Sequence, residues 1–155
     1  SLLSIEGFAQ AEFNEFLSLK NRDLLGAGGR LHLIEIGDAS HSHFSLFLGI
    51  GAMFEHELYA TEPAQTMYNR IRSTNYLTAA WNPVNSMAVS LVGYIQPLIE
   101  DPEDHRMTVE ASVEFTITTR FRFHVAFSSR FHSRPVLNVK RADLEIRNGI
   151  RFALP

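Results

Sequence analysis

The chain has 155 residues, of which 45% are hydrophobic, and a formal net charge of −3. These values are typical of one folded domain over residues 1–155 and exclude a disordered chain. Cysteine is absent, which excludes disulfides, thiolate catalysis and cysteine-ligated zinc or iron–sulfur sites. Nothing resembles a signal peptide, and no stretch approaches the ~18 apolar residues of a membrane span. We therefore expect a cytoplasmic or otherwise intracellular protein without a membrane span.

Charge is distributed unevenly along the chain. Residues 1–119 carry 6 basic and 15 acidic side chains, a balance of −9, whereas residues 120–155 carry 8 basic and 2 acidic ones, a balance of +6. Arginine outnumbers lysine 12 to 2, and guanidinium groups suit bidentate pairing with phosphate or carboxylate. The basic section either packs beside the acidic one or forms a face that binds anions or another subunit.

Two helices are predicted in the first half of the chain. The helical spacing of apolar residues such as Phe13 and Phe16 predicts a helix over residues 5–20. Pro63 suits the first turn of a helix and predicts a second one near residues 62–72.

The segments around these helices are predicted as loop and strand. Glycines within residues 21–29 predict a loop, and residues 30–36 form a probable strand. Residues 44–60 are apolar at even positions, with Gly49 and Gly51 inside the pattern. Because glycine within a strand often marks a bend, this predicts one strongly bent strand or two strands that meet near Gly51.

Residues 107–127 alternate apolar and polar side chains without interruption, which predicts an extended chain with one buried and one wet face. Residues 86–97 alternate in the same way, and the turn residues at 101–104 favour a hairpin between the two segments. A single strand over 107–127 would be ~70 Å long, against a domain radius of gyration near ~15 Å. The segment therefore bends sharply, folds back or projects from the body, and the choice between a bent strand and a hairpin stays open.

Parity decides which residues meet if this segment folds back through residues 118–120. The expected pairs are Ile117 with Phe121, Phe115 with Phe123, and Glu114 with His124. A last hairpin is predicted with a three-residue loop at 147–149. Its expected pairs are Ile146 with Ile150 and Leu144 with Phe152.

These patterns together predict an α+β, β-rich fold. The architectures that fit are an antiparallel sandwich, a jelly roll or a barrel-like roll of seven to nine strands with two helices, near residues 5–20 and 62–72.

One row of cationic side chains is the candidate site for an anion or an acidic partner. Its members are Arg120, Arg122, His124, Arg130, His132 and Arg134. The alternative is a solvated face that pairs across strands with Glu110 and Glu114. The phenylalanines between the arginines lie on the opposite face and are predicted to be core, which weakens a role in stacking on single-stranded nucleic acid. They are Phe121, Phe123 and Phe127.

Other motifs carry little chemistry. His41 and His43 have a spacing that suits one metal ion but lack a third ligand, so no metal is predicted. Residues 55–57 read Glu-His-Glu, yet in a strand the histidine points away from both glutamates, so they are predicted to be structural. Residues 26–29 are predicted to be a flexible turn rather than a phosphate loop.

No convergent catalytic set is visible, so neither catalytic residues nor a cofactor are predicted. The leading hypothesis is a non-enzymatic, self-associating protein, possibly of a viral coat, matrix or movement type, forming homo-oligomers and contacting RNA phosphates or an acidic subunit.

Two alternatives stay open. One is a small-molecule-binding β-roll or a cofactor-free isomerase or hydrolase with a His/Glu acid–base pair. Its acid–base candidates are Glu35, Glu114, His32 and His124, and its apolar pocket candidates are Phe44, Phe54, Trp81, Tyr94 and Phe115. The other is a domain that captures a strand at a sheet edge.

Overall fold

The computed structural model describes residues 2–14, 19–38, 42–61, 64–135 and 140–152. They form eight strands: β1 (Leu3–Asn14), β2 (Leu19–Gly37), β3 (His43–Thr61), β4 (Ala64–Val84), β5 (Met87–Pro97), β6 (His105–Thr118), β7 (Phe121–His132) and β8 (Ala142–Phe152). All strands are antiparallel and lie in one sheet in chain order. Among the described residues, β1 pairs only with β2 and β8 only with β7, so the sheet is not closed.

The β-rich, antiparallel character and the number of strands are confirmed, but the two predicted helices are wrong. Residues 5–14 belong to β1 and residues 64–72 to β4, while residues 15–18 and 62–63 lie outside the described part. The described residues form no helix, and thus none long and apolar enough to cross a membrane. Ladder pairing overrides the local helical spacing, because β1 pairs along its length with β2, and β4 pairs along its length with β3.

The predicted loop over residues 21–29 is also wrong, since these residues lie inside β2. Its glycines sit where strands approach closely: a Cβ on Gly28 would lie 2.7 Å from the carbonyl oxygen of Ile50, and one on Gly51 would lie 2.5 Å from that of Ala27. The alternating segment 44–60 is one continuous strand, β3.

The central ribbon folds back as a hairpin, β6–β7, with its turn at residues 119–120. Phe115 lies opposite Phe123 and Glu114 opposite His124, as parity predicts. A bulge near the turn places Thr118, rather than Ile117, opposite Phe121. The hairpin between the alternating segments 86–97 and 107–117 is also confirmed, as β5 and β6.

The last predicted hairpin is wrong. Residues 142–152 form the single strand β8, whose pairing with β7 runs straight through Asn148 and Gly149. A two-sheet sandwich or jelly roll is likewise not formed by the described residues, since all eight strands share one sheet.

The sheet is strongly curved. β3 and β6 are three strand spacings apart, about 14 Å along a flat sheet, yet the Arg106 guanidinium reaches the Glu55 carboxylate. Likewise the Tyr76 hydroxyl of β4 donates a hydrogen bond to Glu6 of β1. Gly49 leaves room for this tyrosine, because a Cβ there would lie 2.0 Å from the ring.

Curvature separates a convex and a concave face with an unusual distribution of polarity. Directly opposed residues share a face, so one ladder row can be followed across the whole sheet. This convex row comprises Ile5, Gly29, Ile50, Asn75, Ile95, Met107, Phe131 and Ala142. Ile5 is 89% exposed and Ile50 55% exposed. The most deeply buried large side chains are instead on the concave face: Arg72, Met53, Glu55 and Glu57.

Candidate functional site: the polar concave face

Five charged side chains from four strands meet on the concave face. We call them the central cluster: Arg22 of β2, Glu55 and Glu57 of β3, Arg72 of β4 and Arg106 of β6. Their position follows from the period of two in β3, which turns both glutamates inward and His56 outward.

Glu55 is the centre of the cluster and is completely buried. Its Oε1 accepts hydrogen bonds from Arg22 Nη2 at 2.7 Å and from Arg106, and its Oε2 accepts one from Arg72 Nε at 2.9 Å. Glu57 accepts a 2.8 Å hydrogen bond from Arg106 Nη2 and lies 3.4 Å from Arg22 Nε. Three guanidinium groups therefore neutralise two buried carboxylates.

Asp104 extends the cluster towards the β5–β6 loop. Arg72 Nη2 donates to its Oδ1 at 3.1 Å, Arg72 Nη1 donates to its carbonyl oxygen at 3.1 Å, and Arg70 lies 3.6 Å from its Oδ2. His132 Nε2 is 3.2 Å from the same Oδ1. This network ties β4, β7 and the loop before β6 together.

The network shifts several pKa values. Burial by itself raises the pKa of Glu55, but the charges of Arg106 and Arg22 and the hydrogen bond from Arg72 outweigh it and hold the pKa at about 2. Burial lowers the pKa of His132 to about 4, helped by Arg106 and opposed by Asp104. The histidine is therefore neutral and the carboxylate charged at neutral pH.

The concave face encloses an open cavity of about 1600 Å³. Hydroxyl groups line much of it, from Thr74, Thr78, Tyr76, Tyr94 and Thr108, and the central cluster contributes Arg22, Glu57 and Arg106. Burial, followed by the hydrogen bond to Glu6, raises the pKa of Tyr76 to about 12. The lining therefore combines polar and apolar side chains, and its phenols are protonated at neutral pH.

The structure divides the predicted cationic row between several environments. Arg130 and His132 line the cavity, whereas Arg120 lies on the exposed β6–β7 turn. Arg122 Nη1 donates to Glu114 at 3.2 Å, as the pairing alternative predicts. His124 is opposite Glu114 in the ladder. Arg134 follows β7 and pairs with Asp101 and Glu103.

The candidates for an apolar pocket are mostly on the wrong face. Of the five, only Tyr94 lines the cavity, because the others point from the convex face. Those others are Phe44, Phe54, Trp81 and Phe115.

The acid–base candidates do not form one site. Glu35 lies 3.3 Å from His43 and 3.6 Å from His32 near the β2–β3 loop, whereas Glu114 and His124 are on β6 and β7, four and five strands away in the sheet order. His41 lies outside the described residues, and within those residues no group of three potential ligands could hold a metal ion. Phe121, Phe123 and Phe127 are half-buried on the convex face rather than enclosed in a core.

The central cluster is absent from the sites predicted from the sequence. Its signal is the Glu-x-Glu spacing of residues 55 and 57 at the odd, polar positions of an alternating strand, with arginines at the matching parity of neighbouring strands. That signal needs the strand pairing, since Arg22, Arg72 and Arg106 are 33, 17 and 51 residues from Glu55.

No curated protein and no solved structure matches the chain. A family model does match residues 2–153, a range that contains the whole of the described sheet. The chain therefore belongs to the DUF481 family, described as proteins of unknown function.

Proposed function

We propose that lipid acyl chains cover the convex face, that the outer edges of β1 and β8 are paired with further strands there, and that the protein works as a bilayer-embedded sheet whose concave face holds a polar, water-filled chamber. The observation that carries this proposal is the inverted polarity of the two faces. Burial elsewhere in proteins favours apolar side chains over charged ones, whereas here charges are buried and large apolar side chains are exposed.

Charge is nearly missing from the convex face. Among its described residues that have a ladder partner, Asp23 is the one Asp, Glu, Lys or Arg. A water-facing sheet surface normally carries many charges, and a protein-binding patch is local and has a polar rim. A surface that is mainly apolar and nearly uncharged across all eight strands instead suits a fluid that surrounds it, such as hydrocarbon.

The lengths of the shorter strands are consistent with this setting, whereas β2, β3 and β4, with 19, 19 and 21 residues, extend beyond it. β5 and β8 have 11 residues each and β7 has 12. At ~3.3 Å per residue and a tilt of about 40°, such a strand rises about 28 Å, close to the ~30 Å hydrocarbon thickness of a bilayer. Trp81 lies near one end of β4, 45% exposed, with its Nε1–H donating to Ser42 Oγ at 3.3 Å. An indole with an apolar body and a bonded N–H is typical of the membrane interface.

Trp81 is the single tryptophan of the chain and therefore a built-in probe. The protein is reconstituted into vesicles, and its fluorescence is quenched either by lipids brominated on their acyl chains or by iodide in the water. We expect strong quenching by the brominated lipids and little by iodide.

The matched control moves the indole to the other face, as Trp81→Phe combined with Tyr94→Trp. Because Tyr94 lines the cavity, iodide should quench this variant and brominated lipids should not. Equal quenching of both proteins by iodide, with no effect of brominated lipid on Trp81, would refute the proposal.

The hypothesis of a viral, RNA-binding, self-associating protein stays a prediction. Two features support parts of it: the Arg120 guanidinium is exposed on a turn, and the outer edges of β1 and β8 present backbone groups at which a second copy would pair. Light scattering at several salt concentrations, with and without RNA, tests it. A monomer that ignores both would exclude it.

A further inference from the structure

Two polar atoms in the cavity wall lack hydrogen-bond partners. Oε2 of Glu57 and Nε of Arg30 are buried and unpaired among the described residues, and both side chains line the cavity. Glu57 is 1% exposed, so bulk water does not solvate it freely. A buried carboxylate oxygen without a donor is costly, and it indicates that a hydrogen-bond donor occupies the space in front of it.

Cations collect on the β7–β8 side of the same cavity. Arg130, Lys140 and Arg141 all line it, and none has an ion-pair partner within the described part of the chain. Asp143, opposite Arg130 in the ladder, is the one acid among the lining residues of β7 and β8. This wall therefore carries an excess of about two positive charges, in contrast to the neutralised central cluster.

Connections through the sheet place the unpartnered Oε2 of Glu57 and the cations of the β7–β8 side at the same end of the cavity. Glu57 contacts Arg106, and Arg106 lies opposite His132 in the β6–β7 ladder. The backbone N–H of His132 donates to the carbonyl oxygen of Arg141 at 2.8 Å. Two positions along β7, Arg130 lies opposite the hydroxyl-bearing Thr108.

We propose that this end of the cavity binds a small polyhydroxylated anion, a sugar or polyol that carries a phosphate or carboxylate group. Its anionic group pairs with Arg130 and Arg141, and one of its hydroxyls donates to Glu57 Oε2. The threonine and tyrosine hydroxyls of β4, β5 and β6 hydrogen-bond its remaining oxygens. A bare anion leaves Glu57 without a donor, and a neutral sugar leaves the guanidinium groups unpaired.

The size of the cavity permits such a ligand. Its volume of about 1600 Å³ exceeds the ~300–1000 Å³ of typical ligand pockets, so it has room for a hydrated monosaccharide phosphate. The site goes beyond the lipid contact and does not depend on it, since every group involved is on the concave face.

The test is calorimetric titration with glucose 6-phosphate, glucose and inorganic phosphate, at low salt and without glycoside detergents. We expect glucose 6-phosphate to bind at least ~10-fold more tightly than either fragment, because only it meets both needs of the site. Arg130→Gln combined with Arg141→Gln should weaken its binding ~10-fold or more. Arg120→Gln, on the exposed turn, should change it less than twofold.

A second variant separates the two halves of the site. Glu57→Gln should weaken the binding of glucose 6-phosphate and leave that of phosphate unchanged or stronger, with thermal melting used to verify that each variant is folded. Heat from none of the three probes with folded wild-type protein would overturn the proposal. So would equal affinities of the wild type and the double arginine variant, which would mean that only water fills the cavity end.

Discussion

Replacing Arg72 by methionine tests whether the buried charges of the concave face hold the sheet together. The Arg72 side chain is fully buried and donates to Glu55, to Asp104 and to the carbonyl oxygens of Gln96 and Asp104. Methionine has a similar length and no donor, so the substitution removes these hydrogen bonds with little loss of volume. Removing one partner of a buried ion pair costs about 3–5 kcal/mol.

The structure places the expected cost of Arg72→Met at the lower end of this range, about 3 kcal/mol. Glu55 keeps hydrogen bonds from Arg22 and Arg106, and Asp104 keeps Arg70 and His132. The two acceptor carbonyl groups lose their donor, which prevents a smaller effect.

The assay is denaturant unfolding followed by circular dichroism, in the lipid or detergent that keeps the wild type monodisperse. Arg122→Met is the matched control, because the Arg122 side chain is 47% exposed and, among the described residues, its ion-pair partner is Glu114 of the neighbouring strand β6. An exposed pair contributes about 0–1 kcal/mol. If both variants lost the same stability, the central cluster would not be a structural unit and the reasoning would be refuted.

Three further predictions concern pH, the convex face and curvature. The folded state holds the pKa of His132 at about 4, below the ordinary 6.5. The contribution of the neutral imidazole to the free energy of unfolding is therefore complete above pH 6.5 and is lost as pH falls towards 4. The pKa of Glu55, held at about 2 instead of 4.5, adds a second loss of stability below pH 4.5. The urea concentration at the unfolding midpoint, measured across pH, should show both losses, and His132→Gln should remove only the first. Ile146→Lys should destabilise the protein in vesicles by about 2–4 kcal/mol, whereas a water-facing site would change by less than ~0.5 kcal/mol, as measured by unfolding from vesicles. Gly49→Ala should cost about 1–3 kcal/mol by pushing the Tyr76 ring away, while Gly93→Ala, which meets nothing within 4 Å, should be nearly neutral in the same melts; equal effects would contradict this role of Gly49.

Strand content was predictable wherever local pattern and ladder pairing agree. In residues 107–127 the period of two and the odd loop parity gave the Phe115–Phe123 pair, which the β6–β7 hairpin contains. Residues 5–14 and 64–72 were predicted as helices because their apolar residues also fit helical spacing. The pairing of these residues with β2 and β3 decides for a strand over a helix. In β8 the Asn-Gly dipeptide indicates a turn locally, but continuous pairing with β7 keeps it extended.

The same alternation left the direction of the faces undetermined, and this affects every statement about function. A period of two shows that apolar and polar side chains are on opposite sides, but it does not show which side faces solvent. Curvature decides, because it brings Glu55 within reach of three arginines from other strands and so buries the charged side at low electrostatic cost. Because the charged side chains occupy the concave face, the alternating apolar side chains are left on the convex face. Of the arginines that the sequence places on a wet face, Arg122 is then a structural pair because a carboxylate faces it. Arg130, which lines the cavity without a carboxylate partner among the described residues, is a ligand-binding candidate.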